Sequence, residues 1–254
     1  MTYTFTLENR PEVSISLPRV TEICGVLDKP GLQWWYAKLP VQAIARFYKE
    51  DPEFAAHLHD PDEIHAYLKA KKATPWFESR RAMDRGQYVH GALENYVKTG
   101  NPGTLDPEFK GYVTAGMKWW DSTEREVVGV ETTLYSLRHG YAGTADLLYR
   151  TIPDGEVVQA VAEGAARGPA PVPTLTIADW KTSKSDYDSH HFQLAGYAGA
   201  WEEMTGDPVA KTEIILLGED GNFRVVEGRA GFDDFLAVLD VWKRVQGLKN
   251  GGGA

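Results

Sequence analysis

One stretch constrains this chain more than any other: Leu175-Thr176-Ile177-Ala178-Asp179-Trp180-Lys181-Thr182-Ser183-Lys184. Thr176, Ile177 and Ala178 suit a buried strand, and two ionisable groups then appear at its exit. Side chains alternate faces along a strand, so Asp179 and Lys181 share one. A carboxylate and an ammonium held together there can bind a metal and polarise a water, or can form a plain salt bridge. Upstream, a second apolar run, Gly140 to Tyr149, is interrupted by a single acid, Asp146. Downstream, after the turn-rich Ser185-Asp186-Tyr187-Asp188-Ser189, Gln193 and Tyr197 stand four apart on one face of a predicted helix.

Composition narrows the classes that can host such a pattern. The chain has 254 residues, 43% hydrophobic and 25% charged, which suits one large domain or one domain with an annex. Its net charge of −9 is the wrong sign for a protein that coats nucleic acid unspecifically. It weighs less against a nuclease, whose carboxylates are neutralised by divalent metal and whose DNA contacts can be local. Cys24 is the single cysteine, which excludes an internal disulfide framework and a four-cysteine zinc or iron–sulphur site. No apolar run approaches the roughly 18 residues of a membrane span, and Met1-Thr2-Tyr3-Thr4 opens directly into alternation. A cytoplasmic protein without membrane contact is expected.

Taken in order, residues 1–16 alternate around Asn9-Arg10-Pro11-Glu12 and predict a hairpin. Helical patterns follow to about residue 79, with Asp60-Pro61-Asp62-Glu63 as a start signal. Residues 1–79 therefore read as a hairpin and helical annex, and 80–248 as the core. Val89, Leu93 and Tyr96 mark the core face of the next helix, and His90 and Glu94 share a neighbouring face. A further helix is expected between Pro107 and Thr123. Alternation at 126–137, with Glu131 among its residues, predicts the first strand of a sheet completed by 143–150, 174–181 and 211–217. The fold class expected is α/β, a central mixed sheet flanked by helices. A Gly/Ala/Pro-rich insert at about 153–173 reads as flexible, and the tail 249–254 as disordered.

An acid on one strand, Asp-x-Lys on the next and Gln-x-x-x-Tyr on a helix, in that order, resemble the PD-(D/E)XK nuclease superfamily. Within it the chain is most similar to RecB-like exonucleases, a branch with phage recombination and mitochondrial genome-maintenance enzymes. Gly86-Gln87-Tyr88-Val89-His90 fits the Gly-x-x-x-His by which that branch supplies an imidazole to the metal. The resemblance spans residues 80–217 and implies a restriction-endonuclease-like core. It implies Asp146, Asp179 and Lys181 as catalytic residues, and His90, Asp146, Asp179 and the Trp180 carbonyl as metal ligands. Glu131 stands where relatives carry a further acid, with a surface glutamate as the alternative. Gln193 and Tyr197 are expected to position DNA. Oxygen ligands with one imidazole suit Mg²⁺ or Mn²⁺.

The cysteines of the iron–sulphur branch are missing, so no cluster is expected. The activity implied is a metal-dependent DNA exonuclease working from free single- or double-stranded ends in recombination, repair or replication. A single-strand-annealing or replication protein is a candidate partner. A structure- or site-specific endonuclease of the same fold and a non-catalytic DNA-binding or structural protein are the alternatives.

Overall fold

A computed structural model of the chain describes residues 2–7, 10–27, 29–151 and 173–251. A hairpin of β1 (Thr2–Leu7) and β2 (Arg10–Pro18) leads into the short α1 (Val20–Ile23). Three helices follow: α2 (Pro30–Glu50), α3 (Pro61–Ala70) and the long α4 (Pro75–Thr99). Then come α5 (Lys110–Asp121), β3 (Arg125–Ser136), β4 (Tyr141–Thr151) and β5 (Leu175–Lys181). The chain closes with α6 (Asp188–Thr205), β6 (Val209–Leu217), β7 (Phe223–Glu227) and α7 (Phe232–Gly251).

Strands β3 to β7 form one five-stranded mixed sheet in sequential order, flanked by helices. Only β5 and β6 run parallel. A parallel pair needs a crossover, and α6 is that crossover. Strand β5 is buried from Leu175 to Trp180 because helices cover both faces of a parallel pair, which explains its unbroken apolar run. The core joins β4, β5 and β6 through Leu148, Ile177 and Ile214 to Leu194 of α6 and Phe235 of α7. Helices α6 and α7 approach closely at Gly199, where a Cβ would lie 2.1 Å from the Phe232 ring.

The chain divides into two units, 1–27 with 89–254, and 28–88; the division falls inside α4. The hairpin thus belongs with the sheet, where an annex of 1–79 was expected. Long-range contacts account for this: the Tyr3 hydroxyl lies 2.6 Å from Thr144 Oγ1 and the Phe5 ring 5.0 Å from that of Tyr135. The second unit has its own small core of Ala43, Leu68 and Ala73, packed by Ile44, Phe47 and Ile64. As its start signal predicts, the Asp60 carboxylate caps α3 by accepting from the Asp62 N–H at 2.8 Å.

Helix α5 begins three residues later than expected and buries Trp119. Helix α7 continues through residues 249–251, which correct the expected disordered tail. Residues 252–254, and the insert as far as 172, lie outside the described residues. Among the described residues no helix is long and apolar enough to cross a membrane.

Candidate metal centre

Strands β4 and β5 pair antiparallel with Leu147 opposite Ala178, a register that continued by one residue sets Asp146 against Asp179. Both carboxylates are buried, Asp146 at 6% exposure and Asp179 at 1%. A buried carboxylate needs partners, and here each has a different set. Asp146 Oδ2 accepts the Trp180 backbone N–H at 2.8 Å and lies 3.4 Å from His90 Nδ1. The other nitrogen of that imidazole, Nε2, is 2.8 Å from the Trp180 carbonyl oxygen. His90 reaches this point from α4, whose Val89 and Leu93 bury the neighbouring face as the spacing predicts.

Glu131 enters from the other side. Strand β3 carries a bulge between Val127 and Gly129, and Val130 and Thr132 resume pairing opposite Leu147 and Ala145. Glu131 therefore stands opposite Asp146, with φ at +48°, a left-handed conformation unusual for a residue with a Cβ. The Thr132 hydroxyl would lie 2.3 Å from a Cβ at Gly129, so the bulge needs glycine there. His90, Glu131 and Asp146 each offer a ligand atom, all within 4.8 Å of one another. This trio could hold a metal ion, with the Trp180 carbonyl at its edge.

Asp179 lies outside that trio. Its Oδ2 contacts the Lys181 ammonium, and its Oδ1 accepts from Gln193 Nε2 at 3.1 Å. Gln193 Nε2 also donates to the Tyr197 hydroxyl oxygen at 2.9 Å. Gln193 and Tyr197 are 8% and 2% exposed, so they brace Asp179 from behind. They were expected to position DNA; in this structure both side chains are buried and hydrogen-bond within the protein. Gly143 makes room for this brace, since a Cβ there would lie 2.4 Å from the Tyr197 ring. The expected site residues thus come together in two linked groups: His90, Glu131, Asp146 and the Trp180 carbonyl, then Asp179, Lys181, Gln193 and Tyr197.

Other polar residues nearby are occupied elsewhere. Glu94 pairs with Lys98 at 2.6 Å. His191 is held 3.0 Å from Asp186, which also pairs with Arg229. The bulge that turns Glu131 inward was not readable from alternation; Gly129 between two valines was its only signal.

The charges reveal a site that favours cations. Burial opposes the charged form of His90, but the Asp146 carboxylate outweighs it and raises the imidazole to about 9. Glu131 is pushed up to about 7 by burial and then by Asp146. Asp146 itself stays below the usual carboxylate range, burial being outweighed by His90, Lys181 and the Trp180 N–H. Burial raises Asp179 to about 6, incompletely offset by Lys181. Lys181 remains protonated because Asp179 and Asp146 outweigh its own burial. A cluster of hard oxygens with one imidazole and no thiolate fits a hard or borderline divalent ion better than a thiolate-bound one. No family model matches this chain, and no curated protein matches it in sequence.

Proposed function

We propose that this protein is a divalent-metal-dependent deoxyribonuclease, an exonuclease that hydrolyses phosphodiester bonds from DNA ends in recombination, repair or replication. The observation that carries the reading is the meeting of His90, Glu131, Asp146 and the Trp180 carbonyl beside an ion pair of the buried Asp179 with the half-buried Lys181. The order of these groups along the chain, and their similarity to RecB-like exonucleases, supply the choice of substrate and of ends.

His90, Glu131, Asp146 and the Trp180 carbonyl would hold Mg²⁺ or Mn²⁺, which would supply neutralisation of phosphate charge and a more acidic water. The protein's own part is largely electrostatic. Lys181 keeps its proton, so it acts through its charge: it holds the attacking water by hydrogen bonding and stabilises negative charge accumulating on the phosphate oxygens. Asp179 fixes the Lys181 ammonium, and Gln193 with Tyr197 fixes Asp179. Positioning of this kind is effective because Asp179, Gln193 and Tyr197 are buried and need little reorganisation during reaction.

The decisive assay is digestion of end-labelled single- and double-stranded DNA, linear and covalently closed, with Mg²⁺ or Mn²⁺ and with chelator. Loss of linear DNA that depends on metal and spares closed circles is expected. Nicking of closed circles at defined sites would transfer the assignment to the endonuclease reading. Absence of cleavage under every condition would remove the nuclease assignment.

A further inference from the structure

We infer that the groove at the carboxyl ends of β5 and β6 is a DNA-backbone subsite, in which Lys184 and Arg224 hold a phosphate of the strand being cut and Phe223 packs against its base. This deepens the nuclease reading and rests on it. The groove has a volume of ≈ 280 Å³ and opens to solvent, with Thr182, Ser183 and Lys184 forming one wall. Those three residues directly follow Lys181, so the groove adjoins the candidate centre along the chain. The opposite wall comes from the β6–β7 turn and includes Asn222, Phe223 and Arg224. Strands β5 and β6 are the parallel pair of the sheet, and the carboxyl ends of parallel strands leave a crevice where ligands bind.

The chemistry of the walls selects an anion with an apolar part. Lys184 is exposed and forms no ion pair among the described residues. The Arg224 side chain is 60% exposed, and its only ion pair among the described residues is a long one, 3.7 Å to Asp186. His191 and Arg229 hold Oδ2 of Asp186 at 3.0 Å each, so Arg224 can give up its long contact to Oδ1 for a ligand without leaving that carboxylate unpaired. Glu219 is the one acid among the described residues of the groove lining. The Asp220 carboxylate is taken up by Asn222, through its backbone N–H at 3.1 Å and its side-chain amide at 2.8 Å. Phe223 is 37% exposed, offering an aromatic surface beside the two cations. A cation pair next to an exposed ring matches the backbone-plus-stacking mode by which proteins hold single strands. An open groove of this size takes one nucleotide unit rather than a helix or strand of a protein partner.

The test measures DNA binding in the absence of metal, so that it does not depend on turnover. Fluorescence anisotropy with a fluorescein-labelled short oligothymidylate, in chelator and over a salt series, would compare parent, Lys184→Gln, Arg224→Gln and the double variant. Both side chains lie at the surface, and thermal melting checks that the variants fold. The double variant is expected to bind about tenfold more weakly, with a log–log salt slope shallower by roughly 0.7 for each phosphate no longer neutralised. Lys184→Arg should restore most of the affinity. In digestion assays the double variant should raise KM and leave kcat within about twofold, as for an interaction equally strong in ground and transition states. Unchanged affinity and salt slope in the double variant, with a parent that cleaves DNA, would overturn the subsite while leaving the nuclease reading intact. A parent that neither binds nor cleaves DNA would overturn both.

Discussion

Replacing Lys181 by Met tests whether the Asp179–Lys181 pair is a catalytic device or only a salt bridge. In the parent, Asp179 is 1% exposed and its two oxygens are served by Lys181 and Gln193. Met fills most of the lysine's volume but removes the charge, so Asp179 must stay ionised with one donor or take a proton. Breaking a buried pair on one side costs roughly 3–5 kcal/mol, the upper end applying when the remaining group stays charged. Asp179 already stands at about 6, above its ordinary 3.8. Without Lys181 it rises further. A carboxyl raised in the folded state contributes stability that is full below its unfolded pKa and lost as pH rises through the folded one. Lys181→Met should therefore be destabilised by about 3 kcal/mol at pH 8 and clearly less at pH 5.5. Lys181→Met combined with Asp179→Asn should recover most of that loss, since no uncompensated charge remains. Turnover should behave differently: single-turnover digestion at pH 7.5 should fall by roughly 100-fold or more in both variants, about 2.7 kcal/mol of lost electrostatic stabilisation. Urea melts at the two pH values, alongside rapid-quench digestion, separate the effects. If Lys181→Met digests DNA at the parent rate, or if the double variant regains activity with its stability, the ammonium serves only to neutralise Asp179.

Three further outcomes follow from the same geometry. Asp146→Asn should abolish Mn²⁺ binding measured calorimetrically, because it removes the carboxylate at the centre of the His90–Glu131–Asp146 trio; binding at the parent affinity would exclude Asp146 as a ligand. His90 is raised from 6.5 to about 9, so the metal-free protein should lose up to about 3 kcal/mol of stability as pH rises from 6.5 through 9. Melting curves should show that slope flattened in His90→Gln and reduced by saturating Mn²⁺, and an identical slope in the variant would refute the assignment. Gly143→Ala places a methyl 2.4 Å from the Tyr197 ring and should cost about 1–3 kcal/mol while lowering kcat through the displaced Tyr197–Gln193–Asp179 chain; parental stability and rate would show that the brace is unimportant.

How much of this was legible in the sequence depends on whether a feature leaves a local trace. Strands β4 and β5 do, because burial on both faces makes them continuously apolar, and a lone acid in such a run stands out. Asp146 and Asp179 were therefore readable, as was their place on adjacent strands. His90 stood out only through the resemblance of Gly86-Gln87-Tyr88-Val89-His90 to the Gly-x-x-x-His pattern; Val89 and Leu93 fix the helix phase but do not by themselves mark a ligand. Glu131 was only half readable: alternation counts residues but does not register a bulge, and the residue reaches the site through its backbone at φ +48° rather than through strand phase. The burial of Gln193 and Tyr197 left no trace because α6 is buried on most of its surface, from Ser189 and His191 to Gly199 and Ala200. With no polar face to compare, spacing places the two on one side and cannot say what that side meets. The hairpin's attachment was least legible, since the contact of Tyr3 with Thr144 joins residues 141 apart, and no window of sequence contains both. The same reasoning predicts where substitutions are silent to sequence inspection yet costly in the protein. Gly129, Gly143 and Gly199 look like ordinary loop-formers or strand-breakers, but each admits a close approach that brings an acid, a phenol or a helix to its place around the site.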